Sequence, residues 1–240
     1  MSTVKADTIQ SKDSASDITL GASGDTVTVA ADSINVNKVQ DSGGNTLWDF
    51  STGEFVSPKV EFASQDLKLL TTATASGSET IEFKAGIDST YDVYIFKFIG
   101  MQPDTEDAIY FQGSKDGGSN YNLTMTTTWF NALNTEADSG SLAMRTDVDQ
   151  SDGTAMQALV GNTSANSDFS ASGEMYLFNP GSTEYIKNWW CRMNSYGNST
   201  QQQDAYVGGY FKTIDPVNAI KFTYGSGTMN IGTIKMYGLL

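Results

Sequence analysis

The sequence predicts an all-β protein: an extended N-terminal oligomeric β stalk or anchor over residues 1–58, then a β-sandwich of jelly-roll-like type over 59–240. Three observations carry this. Short runs of alternating apolar residues, punctuated by Gly, Asn and Asp, recur along the chain. Helical 3.6-residue periodicity is nearly absent. Glycine is abundant (23) while proline is scarce (4), which suits many tight turns between uninterrupted strands.

The elements follow in chain order. Residues 16–36, SDITLGASGDTVTVAADSINV, hold three alternating pairs, Ile18/Leu20, Val27/Val29 and Ile34/Val36. Each marks a strand with one thin apolar face. No aromatic residue precedes Trp48, and Leu47 and Trp48 open the first richer apolar stretch. Ordering a residue costs roughly 1–2 kcal/mol of backbone entropy. A fully buried aliphatic side chain returns only roughly 1.5–3 kcal/mol, and too few occur here for a private core. The segment is therefore either disordered, as its Ser/Asp/Gly content suggests, or ordered by burying those side chains against other chains or a particle surface. The period-2 pattern favours the second, with Ile18, Leu20, Val27, Val29, Ile34, Val36, Leu47 and Trp48 as oligomer or anchor residues and threefold symmetry as the expectation.

Beyond Pro58 lie every tyrosine and most of the 12 Phe, enough aromatic bulk for a real core. Strands are predicted at 60–63, 79–84, 91–99, 108–113, 122–128, 173–179, 184–193, 205–212, 219–224 and 231–237. YDVYIFKFI (91–99) is apolar on both parities and reads as a central strand covered on both faces. KDGGSN (115–120) is a turn whose Gly117 and Gly118 can take positive φ. AIKFTYGSGTMNIGTIKMYGLL reads as a terminal hairpin.

Composition removes several function classes. Formal net charge is −14, and without clustered Lys/Arg neither nucleic acid nor an anionic membrane is a natural partner. There is no histidine, so histidine-based triads and metal sets are excluded. The single Cys191, in WWCRM, reads as a buried small hydrophobe. No apolar run approaches a membrane span, and MSTVKADTIQS lacks the apolar core of a secretion signal. A protein made in a cytoplasm is expected, without cofactor and without membrane insertion.

Several stretches have a family likeness. MSTVKADTIQS and DITLGASGDTVTVAA resemble openings of tailed-bacteriophage structural proteins of the marine phage type. YDVYIFKFIGMQP, FQGSKDGGSNY, GEMYLFNPGSTEY and NAIKFTYGSGTMNIGTIKMYGL are similar to a β-sandwich module of that group. The likeness covers most of the chain and is weakest over 129–172. It implies a virion protein, assembled in the host bacterial cytoplasm: a tail or head fibre, or a capsid decoration protein.

Candidate contact residues come from the aromatic and polar runs. Trp189 and Trp190 are adjacent, so in a strand they point to opposite faces; both can serve packing, or one can offer a stacking surface to a sugar. Trp129 and Phe130 end the run LTMTTTWF and are expected to lead into a recognition loop. SYGNSTQQQDAY (195–206) is expected as an exposed loop, with Tyr196, Gln201 and Gln202 able to bond sugar hydroxyls or simply to connect strands. RTDVDQSDG (145–153) brings Asp147, Asp149 and Asp152 together, but Asp152 and Ala158 stand where a calcium loop needs Gly and a bidentate Glu. A solvated acidic turn is the stronger reading. Carboxylate pairs for glycoside cleavage carry no motif, and no enzyme is expected.

These readings converge on a fibre-type virion protein that displays its sandwich for a host-surface glycan or another virion protein. The alternatives are a cement protein that stabilises the capsid shell and, with least weight, a polysaccharide depolymerase.

Overall fold

The computed structural model describes the backbone of residues 38–40 and 46–49 and the whole of residues 67–197 and 200–240. The chain falls into two units, Met1–Phe62 and Ala63–Leu240. In the first, β1 (Lys38–Gln40) and β2 (Thr46–Asp49) pair antiparallel, and Leu47 and Trp48 lie on β2. Ile18, Leu20, Val27, Val29, Ile34 and Val36 lie outside the described residues, as does the strand expected at 60–63.

The second unit is built of β3 (Lys68–Thr74), β4 (Thr80–Phe83), β5 (Val93–Pro103), β6 (Ile109–Ser114), β7 (Met125–Thr135) and β8 (Gly140–Met144). After them come β9 (Gln157–Ala158), β10 (Ala171–Phe178), β11 (Lys187–Gly197), β12 (Gln201–Phe211), β13 (Ala219–Tyr224) and β14 (Met229–Leu239). Among the described residues there is no helix. Eight strands form one sheet, in the order β3-β14-β5-β10-β11-β12-β7-β8, and four form another, β4-β13-β6-β9. All pairings are antiparallel. The two sheets face each other across one core, giving the all-β sandwich expected from the sequence.

Alternation sets which side chains fill that core. On β11, Trp189, Cys191 and Met193 point inward while Trp190, Arg192 and Asn194 point out. The centre is aromatic. Phe222 of β13 meets Phe96 and Phe98 of β5 at ring-centroid distances of 5.4 and 5.1 Å, both edge-on, and Phe111 of β6 meets Trp189 at 4.5 Å. Cys191 is buried, and desolvation pushes its thiol pKa up, so it is a small hydrophobe rather than a nucleophile. Lys187 is also buried; its ammonium donates to the carbonyls of Tyr185 (2.6 Å), Ile214 (3.1 Å) and Thr213 (3.3 Å), which offsets its desolvation.

The structure corrects four local expectations. The terminal segment is not a hairpin: β13 joins the four-stranded sheet and β14 the eight-stranded one. The intervening link is tied down, because Asp104 accepts from the Thr228 amide (2.7 Å) and Asp107 from Ser226 (2.7 Å), with Gly227 at φ 68°. The link thus carries the chain across the core. YDVYIFKFI is central in the sheet but covered on both faces only at Ile95, since Ile99 is 50% exposed. The Thr-rich run leads into no loop: β-branched residues suit a pleated strand, and β7 continues to Thr135. Residues 195–197 and 201–206 are strand rather than loop, because Gln201–Gly197 to Phe211–Lys187 is one continuous antiparallel register of β12 on β11. The strands β3 and β8, unforeseen in the sequence, form the two edges of the large sheet.

The turn at 115–120 holds Gly117 at φ 71° and Gly118 at φ 84°. Its centre is Asp116, whose carboxylate accepts from Ser114 Oγ (2.6 Å), Asn120 Nδ2 (2.7 Å) and the Asn120 amide (2.9 Å). These bonds, the Ser114 hydroxyl first, hold its pKa down to about 2. A folded-state pKa below the unfolded value means stabilisation that is present above about pH 4 and is lost as the pH falls through about 2. Urea midpoints measured from pH 5 to pH 2 are expected to fall for the wild type and to fall less for Asp116→Asn. An identical acid slope in the variant would show that this turn does not contribute.

Candidate functional site

The outer face of the eight-stranded sheet carries the site. Cross-strand register places Tyr237, Ile95, Tyr176, Trp190, Gly208 and Thr128 in one row from β14 to β7. The adjacent row runs Lys235, Lys97, Glu174, Arg192, Tyr206, Phe130 and Met144. The aromatic members form two stacks. Trp190 lies on Tyr176 at 4.2 Å and 15°, and Phe130 lies on Tyr206 at 4.9 Å and 4°. Phe130 and Trp190 keep 37% and 38% of their surface exposed.

Between the stacks the strand β12 supplies Gly208, which has no side chain to fill the interval. A groove of about 390 Å³ results, lined by Thr128, Phe130, Trp190, Tyr206 and Gly208. Its surface is almost wholly apolar ring and backbone. Alongside it lies a polar groove of about 320 Å³, lined by Lys97, Ser172, Glu174, Arg192, Asn194 and Asp204. Arg192 joins the two. Its guanidinium donates Nε to Asp204 Oδ1 (3.1 Å) and Nη2 to Oδ2 (2.7 Å) and lies 4.9 Å from the centre of the Tyr206 ring. Such a fork holds both the cation and the ring beneath it in place.

An apolar ring wall beside planar charged and amide groups suits a ligand with one face of C–H bonds and a rim of hydroxyls. A pyranose has that shape. Flat aromatic side chains take the C–H face, and Arg, Asp, Asn and Ser bond the rim.

The sequence-derived candidates divide. Phe130 and Trp190 come together at the groove from different strands. Trp129 and Trp189 are 1% and 2% exposed and belong to the core. Tyr196, Gln201 and Gln202 lie at the far end of the β11–β12 hairpin. There Tyr196 stacks on Phe169 at 3.9 Å and its hydroxyl donates to Glu136 (2.8 Å). Gln201 instead lines a separate polar groove with Gln203, Asn162 and Arg145. Asp147 is paired with Arg145 and Asp152 with Lys212, and among the described residues no three acidic or cysteine side chains gather as a metal site. Sequence reasoning missed Tyr176, Tyr206, Gly208 and Arg192. The signal was present as parity: Arg192 is two residues from Trp190 in β11, and Tyr206 is two from Gly208 in β12.

Compared with known proteins, the chain matches no protein-family model and no curated protein.

Proposed function

We propose that the protein is a fibre-type bacteriophage virion protein whose sandwich domain binds a saccharide on the outer face of its large sheet. The observation that carries the binding half is the groove over Gly208, walled by the Trp190–Tyr176 and Phe130–Tyr206 stacks. Aromatic rings left exposed on a chain with net charge −14 are unusual without a partner, and a groove of ring faces is where a ligand would cover them. The virion half rests on the family likeness of the quoted segments and on the thin period-2 pattern of residues 16–36. In this reading residues 1–58 anchor the chain and bring copies together, with three as the expected number. Several heads on one particle then multiply a weak single-site affinity.

Three measurements test the reading. Purified protein at saturation blocks adsorption of the phage that carries it, and a glycan array retains the protein on at least one saccharide class. Unchanged adsorption together with no retention on any glycan would rule it out. Sedimentation of the full chain is expected to give a multiple of the protomer mass.

The cement reading has one observation of its own. β8, the outermost strand beside the groove, leaves Leu142 74% exposed and Met144 57% exposed on an edge that pairs with no further strand among the described residues, which suits a protein neighbour. Loss of the protein would then make heads fragile and leave adsorption intact.

A further inference from the structure

We infer that the saccharide is anionic, and that its charged substituent is received at Lys235 and Lys97; this rests on the saccharide reading above. The two lysines stand directly opposite each other on the neighbouring strands β14 and β5. Like charges at such positions repel. Lys97 is neutralised by Glu174 on its other side. Lys235 pairs with no carboxylate among the described residues.

The surrounding charge is the second observation. The five adjacent strands β14, β5, β10, β11 and β12 present outward Lys235, Lys97 and Arg192 against Glu174 and Asp204. Three cations against two anions leave a net charge of +1 on the face of a chain whose total is −14. An anionic ligand is repelled by the protein as a whole and drawn to this face. Arg192 and Glu174 already have partners, so the unmatched charge is that of Lys235.

Geometry connects the lysines to the aromatic groove. From Lys97 to Tyr206 the row crosses three strand intervals, roughly 14 Å at about 4.8 Å each, along the polar groove. A chain of a few sugars with one residue on the Trp190 and Tyr206 rings therefore reaches the lysines with an acidic neighbour. The recognised chemistry is a carboxylate or a sulfate ester on the sugar, and either source satisfies the site.

The experiment compares wild type, Lys235→Gln and Gly208→Leu on an array carrying neutral, uronate-bearing and sulfated chains. Retention on uronate-bearing or sulfated chains is expected, with the better of the two naming the anion. It should weaken about tenfold in Lys235→Gln and fall in 1 M NaCl, where the Debye length is about 3 Å. Gly208→Leu should lose retention on all of them. Retention of neutral chains equal to that of acidic ones, unchanged in Lys235→Gln, would overturn the inference and leave the saccharide reading standing. No retention on any chain would overturn both. Without ligand, Lys235→Gln is expected to melt at or above the wild-type temperature, because a repulsion is removed; melting several degrees lower would make Lys235 structural and also overturn the inference.

Discussion

Gly208→Leu is expected to abolish saccharide retention while the protein keeps its fold. An added Cβ at Gly208 would meet Trp190 Cβ at 3.8 Å and the Trp189 carbonyl at 3.9 Å, both ordinary contacts, and the backbone there has no positive φ. A leucine side chain beyond that Cβ has only the groove to enter. It would occupy the space between the two aromatic stacks and cover the ring faces. The next residue makes the control. A Cβ at Gly209 would clash with the Thr126 carbonyl oxygen and lie 2.8 Å from Thr127 Cγ2, so Gly209→Ala is expected to lose stability rather than binding alone. Trp190→Ala tests the wall instead of the floor. Exposed tryptophans that anchor a ligand are commonly worth 2 kcal/mol or more, so about a thirtyfold loss of affinity is expected. Far-ultraviolet circular dichroism and melting check the fold, and isothermal titration or array retention checks the binding. Full retention by Gly208→Leu, with its fold intact, would remove the groove from the mechanism.

Phe222→Ala carries the largest expected effect on stability. Phe222 is fully buried and lies within ring contact of Phe83 (6.1 Å), Phe96 (5.4 Å), Phe98 (5.1 Å) and Phe111 (6.3 Å). With the Phe111–Trp189 and Phe83–Phe96 contacts it is one of the ring junctions between the small sheet and the large one, and it touches the most rings. Its removal costs the transfer free energy of the ring and leaves a cavity whose walls are themselves rigid rings, so little collapse is possible. A loss of about 3–5 kcal/mol follows from comparable core truncations. For a domain of this size that amounts to roughly 6–20 °C in melting temperature. Phe222→Leu, which keeps most of the volume, should cost less than half as much. Equal losses for the two would mean that ring packing is not what joins the sheets.

Much of the fold was legible in the chain, for a local reason. Side chains alternate across a strand with period 2, so TIEF and IKFTY declare their inward faces without reference to anything distant. The glycine pair of KDGGSN declares its turn in the same way, because only glycine takes positive φ without cost. The two edge strands of the large sheet were not legible. β8 is exposed at every position and so lacks the apolar alternation by which a strand is recognised. It exists because β7 offers it a row of hydrogen-bonding groups. The partition of strands between sheets was equally hidden. β13 and β14 have the spacing and turn of a hairpin, and only Asp104 and Asp107, more than a hundred residues earlier, turn that link into a crossing between sheets.

The candidate site shows the same division. Adjacency alone determined that Trp189 and Trp190 point to opposite faces of the sheet, because neighbouring residues in a strand cannot share one. The sequence by itself likewise determined an acidic, histidine-free chain of short strands with most of its aromatic bulk beyond Pro58. Tertiary structure decided which tryptophan is exposed, and it decided that Phe130, Tyr176, Trp190 and Tyr206 share one surface. Those four residues come from four strands, and their rings meet only because antiparallel register sets Trp190 opposite Gly208 and Phe130 opposite Tyr206. Register is a property of pairing between distant segments. No residue carries it alone, and for that reason the groove exists only in the folded sheet.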